Sequence, residues 1–197
     1  MEIKFIPIDY DYFDYQGRNY VKIIGRDEKG KKTCIIDSCP VYLWAVLKQR
    51  TSIKKISKII KKISKIQLES KGRTTRVEKV ELLNKNFLGK EVQALKIHAT
   101  NYKDLHEIAS HIDYPEVEKR RGYDLGYITH YIIEKKLDPL KWYSITGEVL
   151  NNSFEFGGID SKIDVDLCLK VNKLKQIKEQ KFIPNAIAYD IETDSLK

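Results

Sequence analysis

Along the first 36 residues apolar and polar positions alternate, which is the period of a strand with one buried face. Ile3 and Phe5, followed by the Tyr10/Tyr12 pair, mark the first run. Tyr20–Ile24 and Thr33–Ile36 supply two more, separated by turns at Gln16-Gly17-Arg18 and Glu28-Lys29-Gly30-Lys31. This pattern predicts an antiparallel meander. The period changes at Pro40, where a short helix over Val41–Lys48 is expected, with Asp37 or Ser38 as capping groups. A longer helix is predicted over about Ser52–Ile66. There Ile56, Ile59, Ile60 and Ile63 fall at i, i+3, i+4 and i+7, and lysines occupy the remaining faces. Such a stripe also suits a helix on a membrane surface or on nucleic acid. Packing on a sheet, with the lysines solvated, is the simpler reading.

Further along, Val77–Leu83 and Val92–Ala99 are strand candidates joined through Asn86-Phe87-Leu88-Gly89-Lys90. Leu105, Ile108 and Ile112 mark an amphipathic helix with Asp104 near its start, where the helix dipole favours an acid. A helix is expected from Tyr127 to about Leu137, and strands over Trp142–Leu150 and Lys162–Leu169. Lys170–Lys181 is strongly basic and reads as a linker or an exposed helix. The order of elements implies an α+β fold, a mixed and mainly antiparallel sheet with helices packed on it. The division expected is a domain over residues 1–137, a β-rich connector and basic linker over 138–181, and the start of a second domain over 182–197.

Charge sharpens this picture only partly. The chain of 197 residues carries 36 Lys+Arg against 28 Asp+Glu, a net +8, which favours a polyanionic partner or a solvated lysine-rich surface. Cys34, Cys39 and Cys168 form neither a zinc-ligand spacing nor an even disulfide framework, so they read as ordinary intracellular thiols. His106 and His111, at i and i+5, do not converge on one metal. No apolar run reaches the roughly 20 residues needed to span a bilayer. The opening MEIKFIPIDYDY lacks the basic and then apolar regions of a signal peptide. A cytoplasmic protein without a membrane partner is therefore expected.

The candidate chemistry lies near residue 190. The apolar run Ala186-Ile187-Ala188-Tyr189 leads straight into Asp190-Ile191-Glu192-Thr193. Residues i and i+2 of a strand face one side, so Asp190 and Glu192 can reach one metal cluster. In a two-metal nuclease such carboxylates hold cations about 4 Å apart. An Asp-x-Glu at a strand end is, taken alone, more often a solvated exit. Read with four upstream segments in order, it resembles the first exonuclease motif of archaeal-type family B DNA polymerases. Those segments are Asp9-Tyr10-Asp11-Tyr12 with Gly17, Pro40-Val41-Tyr42-Leu43-Trp44-Ala45, Asn86-Phe87-Leu88-Gly89-Lys90 and Gly122-Tyr123-Asp124-Leu125-Gly126-Tyr127.

The resemblance implies an N-terminal template-reading domain followed by the first strand of a ribonuclease H-like exonuclease domain. It implies that single-stranded template is bound and that template uracil is captured ahead of the fork. The residues it assigns to this are Tyr12 (or Tyr10, by register), Pro40, Tyr102, Leu105, Asp124, Leu125 and Tyr127, with His130 in place of a basic residue that secures the strand. Each of the tyrosines could equally cover a core edge. The family commonly has Pro where Gly126 stands, and a glycine there loosens the backbone of such a pocket. Asp190 and Glu192 are implied as catalytic metal ligands, with Mg2+ as the cofactor of the full-length polymerase. None is expected in these residues alone, which are expected to be inactive without further exonuclease and palm carboxylates. The partners implied are the template strand and the remainder of the polymerase, in the same chain or as a split subunit. A stand-alone single-strand-binding module and a docking subunit of a split polymerase are the alternative readings.

Overall fold

A one-residue bulge decides which side of the first strand is buried. In the computed structural model, which describes residues 1–151 and 154–180, β1 (Glu2–Tyr15) pairs antiparallel with β2 (Arg18–Asp27). Pro7 faces Gly25 and Asp9 faces Ile24, so Ile8 is left as the extra residue. Ile3, Phe5 and Pro7 point to the core before the bulge, and Tyr10 and Tyr12 join the same core after it. Without that shift of parity the tyrosines would turn outward. β2 continues through a turn into β3 (Lys32–Asp37), completing the meander.

The expected helix after Pro40 is instead a strand, β4 (Val41–Leu47). Its residues, VYLWAVL, are β-branched and aromatic and alternate between buried and half-buried positions, a pattern that suits a pleated surface. α1 (Ile53–Ile63) follows as predicted and buries Ile56, Ile59 and Ile63. Each fully buried isoleucine contributes roughly 1.5–3 kcal/mol of transfer free energy, which is what holds this lysine-rich helix to the body. The short β5 (Gln67–Ser70), unmarked in the sequence pattern, leads into the long hairpin of β6 (Arg73–Phe87) and β7 (Lys90–Ala99). A single helical turn over Tyr102–Asp104 runs into α2 (Leu105–Ser110). β8 (Val117–Arg121), also unmarked, pairs with β4, and α3 (Tyr127–Lys135) follows. The resulting sheet has the order β5-β6-β7-β4-β8.

The last two strands return to the beginning. β9 (Tyr143–Val149) and β10 (Leu167–Gln176) close a barrel of order β1-β2-β3-β10-β9, with β10 parallel to β3 and antiparallel to β9. Residues 170–176, read from the sequence as linker or exposed helix, are thus barrel wall. Their lysines hide the strand, because within this stretch only Val171 and Leu174 touch the core. The backbones approach too closely for side chains at two glycines. A Cβ at Gly25 would lie 2.1 Å from the Ile6 carbonyl oxygen, and one at Gly147 2.3 Å from that of Lys170.

Barrel and sheet share one apolar core, which runs from Phe5, Ile23 and Ile145 to Leu43, Leu95 and Ile97 and on to Leu105 and Ile108. A smaller cluster sits on the outside of the barrel, where Phe156 packs on Phe13, Tyr15 and Tyr20 above Cys34 and Cys168. The three cysteines are buried free thiols. Among the described residues no helix is long and apolar enough to cross a membrane, and no group of His, Cys, Asp and Glu is arranged to hold a metal ion.

Candidate nucleic-acid interface

Barrel and sheet meet at a cluster of three tyrosines. Tyr12 of β1, Tyr102 of the helical turn and Tyr127 at the start of α3 hold their rings 5.7–6.0 Å apart between centroids, with two of the three pairs edge to face. Tyr127 is almost fully buried, and its hydroxyl donates to the Asn19 carbonyl at 2.9 Å. The backbone N–H of Cys39 reaches the same hydroxyl at 3.5 Å. Burial pushes the Tyr127 phenol far up, so it stays a neutral donor. Leu105 lies in the same core, 1% exposed. Of the two tyrosines left open by register, Tyr12 belongs to this cluster. Tyr10 lies deeper in the barrel, where burial and the neighbouring Tyr143 push its hydroxyl up to about 12.

Pro40 stands at the rim. Its carbonyl accepts a hydrogen bond from Nε2 of His130 at 3.0 Å, and the His130 ring packs edge-on against Tyr42 at 4.5 Å. His130 is 5% exposed, and burial lowers its pKa below the ordinary value. It is therefore neutral near pH 7 and fixes the position of Pro40 rather than offering charge to a phosphate. Beside Pro40 opens a small cleft of about 110 Å³, bounded by Arg18, Asn19, Ser38, His98 and Thr100. Asp124 and Leu125 are exposed on the loop before α3. Gly126 has φ −61° and ψ 147°, the backbone shape that a proline would impose, so the glycine has not changed the path of the chain there.

A buried polar network fixes this junction, and the sequence pattern gave little sign of it. Asn19 donates to Asp14 at 2.6 Å and accepts from the N–H of Tyr102 at 2.6 Å. Fully buried Asn101 donates to the Gly17 carbonyl, tying the β1–β2 turn to the sheet. Asp104, expected only as a helix-start acid, takes a two-pronged bond from Arg73 at 2.9 and 2.7 Å and a further one from Thr75. Burial works to raise its pKa, but the bonds from Arg73 and Thr75 and the charge of Arg73 outweigh it and hold the carboxyl below its usual range. Asp190 and Glu192 lie outside the described residues.

Comparison with known proteins bears on what this arrangement belongs to. Residues 118–197 match the model of the DNA polymerase family B exonuclease domain. Over 135 residues the chain is 27% identical to a DNA polymerase of Thermococcus gorgonarius, and over 136 residues 29% identical to DNA polymerase 1 of Pyrococcus abyssi. The chain is related to the family B DNA polymerases. In each of these two comparisons the match covers 68% of the chain and 17% of the polymerase. The solved family B polymerase of Pyrobaculum calidifontis shares the fold at a TM-score of 0.67 and 20% identity, covering 92% of this chain and 21% of that one. The likeness in fold thus extends over both barrel and sheet.

The role of Tyr127 in holding the junction can be measured directly. Tyr127→Phe should lower stability by about 1–2 kcal/mol, since it strands a buried carbonyl that now has the phenol as partner. Urea unfolding checks this, and a midpoint equal to the parent's would show that the hydroxyl contributes nothing.

Proposed function

We propose that this chain forms the template-binding part of a DNA polymerase, holding single-stranded DNA at the junction of barrel and sheet and capturing template uracil beside Pro40. One observation carries the reading. Tyr12, Pro40, the pair Tyr102 and Leu105, and the pair Tyr127 and His130 come from four separate stretches of chain and converge at the junction. An unpaired base has little unstacking cost left, so it can enter a small cleft and be read at its polar edge. The cleft beside Pro40 is small and is lined by the polar residues Arg18, Asn19, Ser38, Glu78, His98 and Thr100. A wall of that kind rejects the extra methyl of thymine by about 1–3 kcal/mol.

In this reading His130 and Tyr127 are positioning residues, holding Pro40 and the β2 backbone, while exposed Asp124 and Leu125 flank the entering strand. The metal chemistry of the relatives would fall to Asp190 and Glu192, whose carboxylates are the donor type that Mg2+ selects. The remainder of a polymerase is the partner that would complete an exonuclease site.

Fluorescence anisotropy with labelled single strands carrying one uracil or one thymine, at two salt concentrations, tests the proposal. A uracil preference of roughly tenfold that persists at the higher salt is expected. Equal binding that fades with salt would remove uracil capture and leave a basic strand-binding surface. No binding at all would turn the reading toward a docking subunit.

A further inference from the structure

The face of the five-stranded sheet turned away from α1 and α2 carries rings and cations in register. Alternation places Tyr42, Trp44 and Val46 of β4 on this face, opposite His98, Lys96 and Ala94 of β7. Trp44 is flanked on its other side by Arg121 of β8, and Val46 by Lys119. From β6 come Lys85 and Phe87. Lys96 lies 3.7 Å above the Tyr42 ring and 5.8 Å from that of Trp44, and Lys85 lies 5.3 Å from Trp44. Lys119 and Arg121 stand 5.8 and 5.9 Å from Phe87. Among the described residues no carboxylate pairs with Lys85, Lys96, Lys119 or Arg121, whereas Glu81 on the same face is taken by Lys79 and His98. Between Trp44 and Phe87 opens a groove of about 210 Å³, floored by Val46, Val92 and Ala94.

We propose that this face is a second nucleic-acid contact, on which bases of single-stranded DNA stack against Trp44 and Phe87 while Lys85, Lys96, Lys119 and Arg121 meet the phosphates. The occupant follows from the chemistry. Unpaired cations ask for an anion, and two ring faces at the mouth of an apolar groove ask for flat, unpaired rings. A single strand supplies both at a short repeat. A duplex is a poorer fit, because its base faces are already stacked on each other. The face goes beyond the Pro40 cleft and does not depend on uracil capture, since stacking accepts every base. The two lie along the same strand: Pro40 precedes β4, and Tyr42, against which His130 packs, begins the row. A template strand leaving one could run onto the other.

Trp44 itself reports on the test. The only other tryptophan, Trp142, is 3% exposed and serves as a constant background. Titrating the chain with unlabelled oligothymidylate should quench the Trp44 emission, and the Trp44→Phe variant should lose that quench. Phe87→Ala should weaken binding about tenfold, for uracil- and thymine-containing strands alike. Exchanging Lys85, Lys119 and Arg121, all exposed, for Gln should flatten the salt dependence of log Kd by about 2, at roughly 0.7 per lost phosphate contact. These three surface changes leave the core untouched, so they decide the matter even if Phe87→Ala folds poorly. Strand binding with parental affinity and salt slope in the triple variant would overturn the proposal, and so would duplex binding as tight as that of the single strand. Loss of uracil preference with this binding intact would count against the Pro40 reading alone.

Discussion

Asp104→Ala should cost the fold about 3 kcal/mol, measured by urea or thermal unfolding, because it removes the close two-pronged partner of Arg73 and leaves its guanidinium only the longer contact with Asp14 at 3.9 Å. The side chains are 16% and 5% exposed, so water cannot substitute for the missing partner. Thr75 loses its acceptor at the same time, and the turn that carries Tyr102 loses its anchor to β6. The effect has a pH signature. The folded-state pKa of Asp104 is depressed, so its contribution is fully present above the unfolded value, near pH 4. It is lost as pH falls through the lower folded value. The parent should therefore lose stability on acidification below about pH 4 more steeply than Asp104→Ala. Parallel acid limbs for the two proteins would mean that the Arg73 pair carries no pH-linked stability.

Gly147→Ala should damage the barrel severely for the addition of one methyl group. The added Cβ would meet the Lys170 carbonyl oxygen at 2.3 Å and its carbon at 3.1 Å, both backbone atoms of β10 that cannot swing aside. Forced overpacking ordinarily costs about 1–3 kcal/mol, and a backbone clash in the strand pair that closes the barrel belongs at or above the top of that range. Hydrogen exchange would localise the damage. Faster exchange in β9, β10 and β3, with β6 and β7 unchanged, is the expected pattern. Uniform loss of protection would show that barrel and sheet unfold as one unit.

The meander over β1–β3, α1 and the β6–β7 hairpin were legible because each buries one face at its own period. The segment VYLWAVL was not, because Pro40 is as good an opener for a helix as for a strand, and the alternation of β4 is blurred by three consecutive buried residues at its end. β10 was hidden by its lysines: a barrel strand with water on one side needs few apolar residues, and its partner β3 lies far away in sequence. Tyr12, Pro40, Tyr102 and Tyr127 were reached through resemblance rather than periodicity. Arg73, Thr75, Asn19 and Asn101 went unmarked, since a polar residue that finds its partner only in the folded chain looks like any other surface residue beforehand. In the sequence Trp44 and Phe87 stand as isolated rings in two distant segments, and only the register of β4 against β7 and β8 sets them among cations.

The parallel pairing of β10 with β3 has a consequence for how the molecule is made. On a ribosome β1, β2 and β3 emerge early, yet the strand that covers the free edge of β1 is completed only at Val149 and the one that covers β3 only at Gln176. At a synthesis rate of about 5–20 residues per second, those two edges wait on the order of ten to thirty seconds for their partners. Unsatisfied edges held open that long are templates for pairing with other chains. The bulge at Ile8 and the Lys22–Asp11 ion pair on the solvent side already twist and charge the first hairpin before its neighbours arrive. Expression slowed within residues 38–176 should therefore raise the aggregated fraction more than the same slowing after Gln176.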